Sequence, residues 1–259
     1  MTSAVERDLA AYQGRLLGLV PPERIRTVAV PRPAAALLAR YRALPDLTSS
    51  IADVLDGHGV DSAIPAALLP PIAPGQRMVG PAVTVRHGPA PLNAGHNVAH
   101  RTSPKLGGLD EVTLSEPGDV MVIDGSGVPF ASNIGGLMAT AVAEKGFAGI
   151  VVDGCVRDVE TMRRLGLPVW ARGATPRTGK HRMELVEFNG PVTIAGVGIR
   201  PGDLILGDTD GVIVVPAALI EAVIGEAEEA VRKEDVLLAA LRSGASPAES
   251  AAIVAPEKW

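Results

Sequence analysis

Two short apolar runs constrain this 259-residue chain most: Asp119-Val120-Met121-Val122-Ile123-Asp124 and Gly149-Ile150-Val151-Val152-Asp153, each with its last aspartate followed by glycine. Runs of roughly four to eight apolar, β-branched residues between turn residues mark strands buried on both faces. Between them lies a helical pattern, Ile134, Leu137, Met138, Ala141 and Val142, which stops at Gly146. After the second run a short helix from Asp158 to Leu165 stops at Gly166, and Pro168-Val169-Trp170-Ala171 reads as a third strand. Strands and helices alternating this closely predict a β-α-β-α-β unit, a parallel sheet with right-handed crossovers. In open α/β sheets ligands bind beyond the carboxyl ends of the strands. The loops after Asp124 and Asp153 are therefore expected to share one rim, and the chemistry to sit there.

The flanks are plainer. Residues 1–45 carry charges among Ala and Leu, with helical spacing at Leu9, Tyr12, Leu16 and Leu17 before Pro21-Pro22. A second helical stretch runs from about Pro33 to Leu44, so this segment is read as a helical N-terminal extension packed on a body. The stretch from Thr48 to Asp56 predicts a helix with a hydroxyl N-cap, ending at Gly57 and Gly59. Val79 to Val85 alternates like a strand, and residues 88–110, rich in Gly, Pro, Asn and His, read as a loop with at most a short helix. Strands are expected at 192–194, 203–206 and 211–216, then a long helix from about Ala217 to Ser243. No linker divides the chain cleanly; the working boundaries are 1–45, a main α/β domain at 46–243, and a tail at 244–259.

Composition narrows the function classes. Hydrophobic residues make up 47% and aromatics 3%, so the core is aliphatic, and two Trp, two Tyr and three Phe offer no stacking platform for single-stranded nucleic acid. A net charge of −5 disfavours a general nucleic-acid binder. One cysteine, Cys155, excludes an internal disulfide framework. No apolar run nears the ~20 residues of a membrane helix, and the start MTSAVERDLAAYQ has no signal-peptide core. A cytoplasmic location without membrane or nucleic-acid partners is expected.

Two motifs fall on the predicted rim. In Asn133-Ile134-Gly135-Gly136-Leu137-Met138, two glycines occupy the first turn of a helix. Free N–H groups there form an anion site for a carboxylate or phosphate, and glycine lets a ligand approach the backbone. A tight packing turn would need the same glycines. In Gly154-Cys155-Val156-Arg157-Asp158, Arg157 can grip a carboxylate or enolate oxygen with two N–H groups. Asp158 can hold a hard cation through one carboxylate, leaving other positions to water and substrate, as Mg²⁺ prefers. Equally, Asp158 can be an N-cap and Arg157 a solvated charge.

Other candidates are weaker. His96 and His100 stand four apart, with His87 upstream, a spacing that zinc ligands use, but no Glu lies between them. Asp208 and Asp210 precede a strand, where a turn or a place near a metal would suit them. Cys155 lies two residues from Arg157, whose charge would lower the thiol pKa, yet no His is near it in sequence. A Gly-x-Ser-x-Gly elbow, a phosphate-binding P-loop and a strict Gly-x-Gly-x-x-Gly are all missing.

The set resembles a known family. The pieces are Gly80-Pro81-Ala82-Val83-Thr84-Val85, Pro117-Gly118-Asp119-Val120, Gly135-Gly136-Leu137-Met138-Ala139, Gly154-Cys155-Val156-Arg157-Asp158, Pro168-Val169-Trp170-Ala171-Arg172-Gly173, Gly202-Asp203, Asp208-Thr209-Asp210-Gly211-Val212 and Lys233-Glu234. In this order, over residues 80–234, they resemble the superfamily of the 4-hydroxy-4-methyl-2-oxoglutarate aldolases and the regulator of ribonuclease E activity A. The resemblance implies an αββα-type sandwich of the swivelling β/β/α kind around the β-α-β-α-β core. It implies a homotrimer or hexamer with sites at subunit interfaces. It also implies class II pyruvate aldolase chemistry with Mg²⁺ or Mn²⁺, often with oxaloacetate decarboxylation. By position, Asp158 would be the metal ligand and Arg157 would bind the pyruvyl part and stabilise the enolate. The Gly135-Gly136 turn and the amides of Leu137 and Met138 would hold the substrate carboxylate. Glu234 of a neighbouring subunit would order metal-bound water. One departure stands out. These aldolases commonly place a proton-shuttling acid where this chain has Gly136, which bears on cleavage of hydroxy acids more than on decarboxylation.

The expectation is a metal-dependent carbon–carbon lyase acting on a 2-oxo acid. A Schiff-base route needs a lysine, and none of Lys105, Lys145, Lys180, Lys233 and Lys258 falls at a predicted strand end in the core. The rival is a non-catalytic, protein-binding regulator of a ribonuclease; that branch of the family often lacks the Arg-Asp pair. A methyltransferase would need a glycine-rich nucleoside loop before an acidic strand end.

Overall fold

The computed structural model describes residues 4–255. In chain order the helices and strands are α1 (Ala4–Leu9), α2 (Ala35–Ala43), α3 (Leu47–Gly57), β1 (Ala63–Pro65), β2 (Met78–Pro89), α4 (Ala94–His100), α5 (Leu109–Thr113), β3 (Val120–Asp124), β4 (Ser132–Ile134), α6 (Gly136–Lys145), β5 (Gly149–Val156), α7 (Val159–Leu165), β6 (Val169–Ala174), β7 (Met183–Phe188), β8 (Val192–Ile194), β9 (Val197–Ile199), β10 (Leu204–Gly207), β11 (Gly211–Val215), α8 (Ile220–Arg242) and α9 (Pro247–Ile253).

The expected unit is present. β3 pairs parallel with β5, placing Asp124 opposite Asp153, and β5 pairs parallel with β6. β2 is the hinge of a mixed, nine-stranded sheet among the described residues. Its first residues run antiparallel to β10, its middle parallel to β3, and its end, from Val85, antiparallel to β7 with a register shift between Arg86 and His87. β10 continues to β11 and β1.

Side-chain alternation explains the layering. Val83, Val85, Met121, Ile123, Ile150 and Val152 join Ala139, Val142 and Met162 of α6 and α7 in one cluster. Leu204, Leu206, Ile213 and Val215 join Tyr41, Ile51, Leu55, Val223 and Ile224 of α2, α3 and α8 in another. The alternate residues of both halves, Val120, Val122, Val151, Ile205, Val212 and Val214, meet each other with Trp170 between the two. The order is helix, sheet, sheet, helix, which is the αββα arrangement, and both faces of β3 and β5 are buried. That is why their sequences are continuous apolar runs rather than alternating ones.

Several boundaries move. β5 runs on through Gly154-Cys155-Val156, so Asp153 is buried within the strand rather than at its end. Ile134 belongs to β4, and α6 begins two residues later. Leu16 and Leu17 lie outside α1, which ends at Leu9 before a single 3₁₀ turn. Thr48 does not cap α3: its amide and hydroxyl bond to the Asp208 carboxylate at 2.9 and 2.6 Å. The N-terminal segment is anchored to the body through Arg32, which grips buried Asp119 with two N–H donors at 2.8 and 2.7 Å, and through Tyr41, whose hydroxyl donates to the Ile220 carbonyl. In the tail, the Ser246/Glu249 capping box starts α9.

Candidate active site

The site grows from the turn between β5 and α7. Arg157 leaves β5 with its N–H bonded to the Ile134 carbonyl at 3.1 Å. Asp158 follows in the left-handed region, φ 58°. That conformation costs a non-glycine residue about 1–2 kcal/mol and persists where the surroundings over-determine it. Asp158 stands at the N-cap position of α7, but its carboxylate does not cap that helix. Instead Oδ2 accepts the Gly136 N–H, the first of α6, at 2.8 Å, and Arg157 Nε lies 3.5 Å from the same oxygen. The carboxylate thus leans across from one helix start to the next. The Asp158 and Arg157 side chains are 46% and 37% exposed.

This geometry explains the two glycines, and for a different reason than ligand approach. A Cβ at Gly135 would fall 2.7 Å from Arg157 Nε, and one at Gly136 would fall 3.1 Å from Asp158 Cβ. They leave space for the Arg-Asp pair. The next amides, Leu137 and Met138, lie in the first turn of α6, where no intrahelical acceptor exists. Beside them the Leu137 side chain is 90% exposed. The structure therefore brings Gly135, Gly136, Leu137, Met138, Arg157 and Asp158 together on one rim.

Beneath the rim lies a cavity of about 220 Å³, bounded by Arg157, Gly135, Leu137 and Met138 above and by Met121, Ile123 and Ile134 of the sheet. The loop after β6 supplies Thr178, Gly179 and Lys180. The wall also holds two residues whose joint role the sequence did not signal, His87 and Glu111, only 2% and 3% exposed. His87 Nδ1 meets Asn133 Oδ1 at 3.3 Å, and its Nε2 lies 4.0 Å from Glu111 Oε1. Burial pushes the imidazole pKa down to about 4, offset in part by Asn133 and the Leu106 carbonyl. Burial pushes the Glu111 carboxyl well above its ordinary value, with the neighbouring Asp110 charge adding to the rise and a Gly108 backbone bond opposing it. In both groups burial disfavours the charged form. Asn133 occupies the space that Gly125 and Gly154 leave open, since a Cβ at either would fall within 2.5 Å of its amide nitrogen.

The other candidates separate from the site. His96 and His100 share a face of α4 with rings 4.3 Å apart, while His87 is buried on β2; no group of three or more His, Cys, Asp or Glu among the described residues could hold a metal. Asp208 and Asp210 tie down the start of α3 through Thr48 and Ser49. Burial raises the Cys155 thiol pKa, against the lowering expected from Arg157, so it is no activated nucleophile. Asp153 is locked by Arg172 and by the Ala195 N–H at 2.7 Å. Lys180, away from any strand end, nevertheless lines the cavity. Glu234 is exposed on α8, whose apolar face belongs to the α2–α3 layer, so within one chain it does not join the rim.

The donor set fits a hard divalent cation. Mg²⁺ and Mn²⁺ accept a single carboxylate completed by water and substrate oxygens, and the half-exposed Asp158 carboxylate has only Oδ2 engaged.

Comparison with known proteins identifies relatives of the fold and of the sequence. A family model described as RraA-like, Aldolase/RraA, matches residues 48–214. A protein of Halalkalibacterium halodurans, provisionally named 4-hydroxy-4-methyl-2-oxoglutarate aldolase, is 34% identical over 193 residues, covering 74% of this chain and 82% of that protein. An uncharacterised protein from Pseudomonas syringae superposes with a TM-score of 0.71 at 28% identity, over 84% of this chain and 97% of that one. Streptomyces coelicolor RraAS2, described as an unusual member of the RNase ES inhibitor RraA family, superposes with a TM-score of 0.67 at 27% identity, over 80% and 98%.

Proposed function

Because the chain belongs to the RraA-like, Aldolase/RraA family, we propose that it is a divalent-metal-dependent carbon–carbon lyase acting on 2-oxo acids at the Arg157–Asp158 rim. The observation that carries this reading is the Asp158 carboxylate, held across the start of α6 beside a guanidinium and two free amides. Asp158 would hold Mg²⁺ or Mn²⁺. When bound, the ion supplies Lewis acidity toward the 2-oxo and carboxylate oxygens of the substrate.

This chain's residues do the rest. The Leu137 and Met138 amides, at the positive end of α6, hold the substrate carboxylate. Arg157 places its N–H donors where negative charge gathers on the enolate oxygen as the C3–C4 bond breaks. The mostly apolar cavity receives the atoms being separated and limits water around them. Lys180 at its edge offers a cation to a second carboxylate of the substrate. The same reading includes a homo-oligomer, trimer or hexamer; exposed Leu137 beside the site, and Glu234 standing away from the rim of its own chain, are compatible with it.

The test is pyruvate formation from oxaloacetate and from 4-hydroxy-4-methyl-2-oxoglutarate with Mg²⁺ or Mn²⁺. Wild type should release pyruvate, and Asp158→Ala should be slower by about 10²–10³-fold. A chelator should abolish turnover, while borohydride with substrate should leave it intact. Turnover by rigorously metal-stripped protein would remove this reading. The alternative, a protein-binding regulator of a ribonuclease, draws on the description of the Streptomyces neighbour. It gains if wild type and Asp158→Ala are equally inert and the protein binds a ribonuclease.

A further inference from the structure

The reaction proposed above leaves a carbanion equivalent at C3 that must take up a proton, and the start of α6 has no acid for it, because residue 136 is glycine. A Cβ there would press on Asp158, so the position is closed to an acid unless Asp158 moves. The cavity wall holds the other candidates. His87 Nε2 and Glu111 Oε1 are both buried, without a hydrogen-bond partner, on the lining shared with Arg157, Gly135 and Met138. Unpartnered buried polar atoms cost about 1–3 kcal/mol each and call for an explanation.

We infer that Glu111 is the acid that protonates C3 of the enolate, with His87 positioning it; the assignment rests on the lyase reading. Geometry supports the pairing. His87 Nδ1 stands 3.3 Å from Asn133 Oδ1, which leaves Nε2 facing Glu111 Oε1. At 4.0 Å the ring nitrogen is not hydrogen-bonded to the carboxyl, and Glu111 belongs to the cavity lining. Gly107 lets the carboxyl sit where it does, since a Cβ there would fall 2.0 Å from Glu111 Oε1.

The step balances without another reactant. The C3–C4 bond breaks and its electron pair remains with the pyruvyl fragment as the enolate. In aldol cleavage the C4 O–H bond breaks as the new C=O forms and its proton passes to water; the carbonyl product, or CO₂ in decarboxylation, leaves. The Glu111 O–H bond then breaks, its proton bonds to C3 to form the methyl group, and the carboxylate left behind recovers a proton from water entering the cavity. Desolvation drives that recovery, because a buried carboxylate beside an uncharged imidazole is unfavourable. The titratable groups around Glu111 are Asp110 on its own helix, His87 from β2, Arg157 from the β5–α7 turn and Lys180 from the loop after β6.

The experiment follows the methyl hydrogens of pyruvate by proton NMR in D₂O with Mg²⁺, for wild type, Glu111→Gln and Glu111→Asp. Pyruvate affinity is measured alongside, and infrared spectra are taken of the metal-free proteins. Gln has the shape and neutrality of the protonated acid, so the fold should survive. Exchange should fall at least about 100-fold in Glu111→Gln, within the usual range for a lost general acid, with pyruvate affinity changed less than about threefold. Glu111→Asp, which retracts the carboxyl, should lie between and decides the matter if the Gln variant does not fold. The metal-free wild type should show a protonated-carboxyl band at pH 7 that Glu111→Gln lacks. Wild-type exchange in a folded variant, or no such band, overturns the assignment alone. If wild type itself neither exchanges pyruvate protons nor decarboxylates oxaloacetate, the lyase reading fails and takes this assignment with it.

Discussion

The rim and the wall of the same cavity are built on opposite principles. At the rim, Arg157 and Asp158 are charged, roughly half exposed, and joined to the start of α6 by a directed hydrogen bond. On the wall, His87 and Glu111 are buried where desolvation disfavours charge, and are short of partners. Elsewhere in the protein buried carboxylates are fully tied: Asp119 to Arg32, Asp203 to the Arg200 and Ala217 amides at 2.8 and 2.9 Å. The contrast separates two tasks. Charge is displayed where a cation and an anionic substrate would arrive. Titratable groups on the wall are kept dry, where burial favours the uncharged form.

The largest effect that would break this comparison is on acid stability. His87 has its folded pKa lowered from 6.5 to about 4, so the unfolded chain takes up the proton first. Stability from this group is present above pH 6.5 and is lost as pH falls toward 4, by on the order of 3 kcal/mol at pH 4. Glu111 works in the other direction: its raised folded pKa favours the fold at low pH, and that contribution declines as pH rises above the ordinary carboxyl range. His87→Asn keeps an amide donor toward Asn133 and should cost stability at pH 7 through lost packing. Its unfolding free energy should nonetheless fall less than that of wild type between pH 7 and 4. Chemical denaturation across that range measures the difference, and the Glu111 contribution largely cancels in it. Parallel curves would mean that the imidazole titrates normally and that the wall is wetter than its burial indicates.

Much of the rim was legible in the sequence, and little of the wall. The β-α-β-α-β order, the Arg157–Asp158 turn and the glycine pair all rest on local signals: apolar runs, helix stops and adjacent residue types. What those signals lacked was long-range packing. Asp158 looks like a helix cap by position, and only the approach of α6 redirects its carboxylate to Gly136. Thr48 looks like a cap too, until Asp208, 160 residues away in sequence, takes that task. Glu111 sits in Leu-Asp-Glu-Val-Thr, an unremarkable acidic first turn, and nothing local says that it is buried while Asp110 beside it ties down residues 17–20. Lys180 is set aside in the sequence for lying at no strand end, and a loop carries it to the cavity instead.

A smaller effect sharpens the comparison at position 136. Restoring an acid there, as Gly136→Asp, tests whether the proton can be supplied from the rim. The new Cβ would lie 3.1 Å from Asp158 Cβ and 3.3 Å from Oδ2, and its charge would oppose the existing carboxylate. Displacing Asp158 by a fraction of an ångström should cost up to about 100-fold in pyruvate formation. A Mg²⁺ titration should show weaker activation. A gain in hydroxy-acid cleavage would show instead that the rim tolerates both acids and that the wall is not needed for proton supply.

The smallest effect concerns what the rim costs the fold. With φ at 58°, residue 158 occupies a conformation that glycine adopts freely. Asp158→Gly relieves that strain, but it also loses the carboxylate that accepts the Gly136 N–H and gives the unfolded chain more freedom. Gly136 is buried, so its N–H depends on water entering the space that the carboxylate vacates. The balance should favour the variant by up to ~1 kcal/mol, a rise of a few degrees in Tm for a domain of this size. Asp158→Ala, which keeps the strain and loses the same bond, should be the less stable of the two. Calorimetry on both variants separates these terms. A Gly variant clearly less stable than the Ala variant would place the main value of Asp158 in the architecture of the turn, and the contrast between a rim built for chemistry and the satisfied carboxylates of the core would no longer hold.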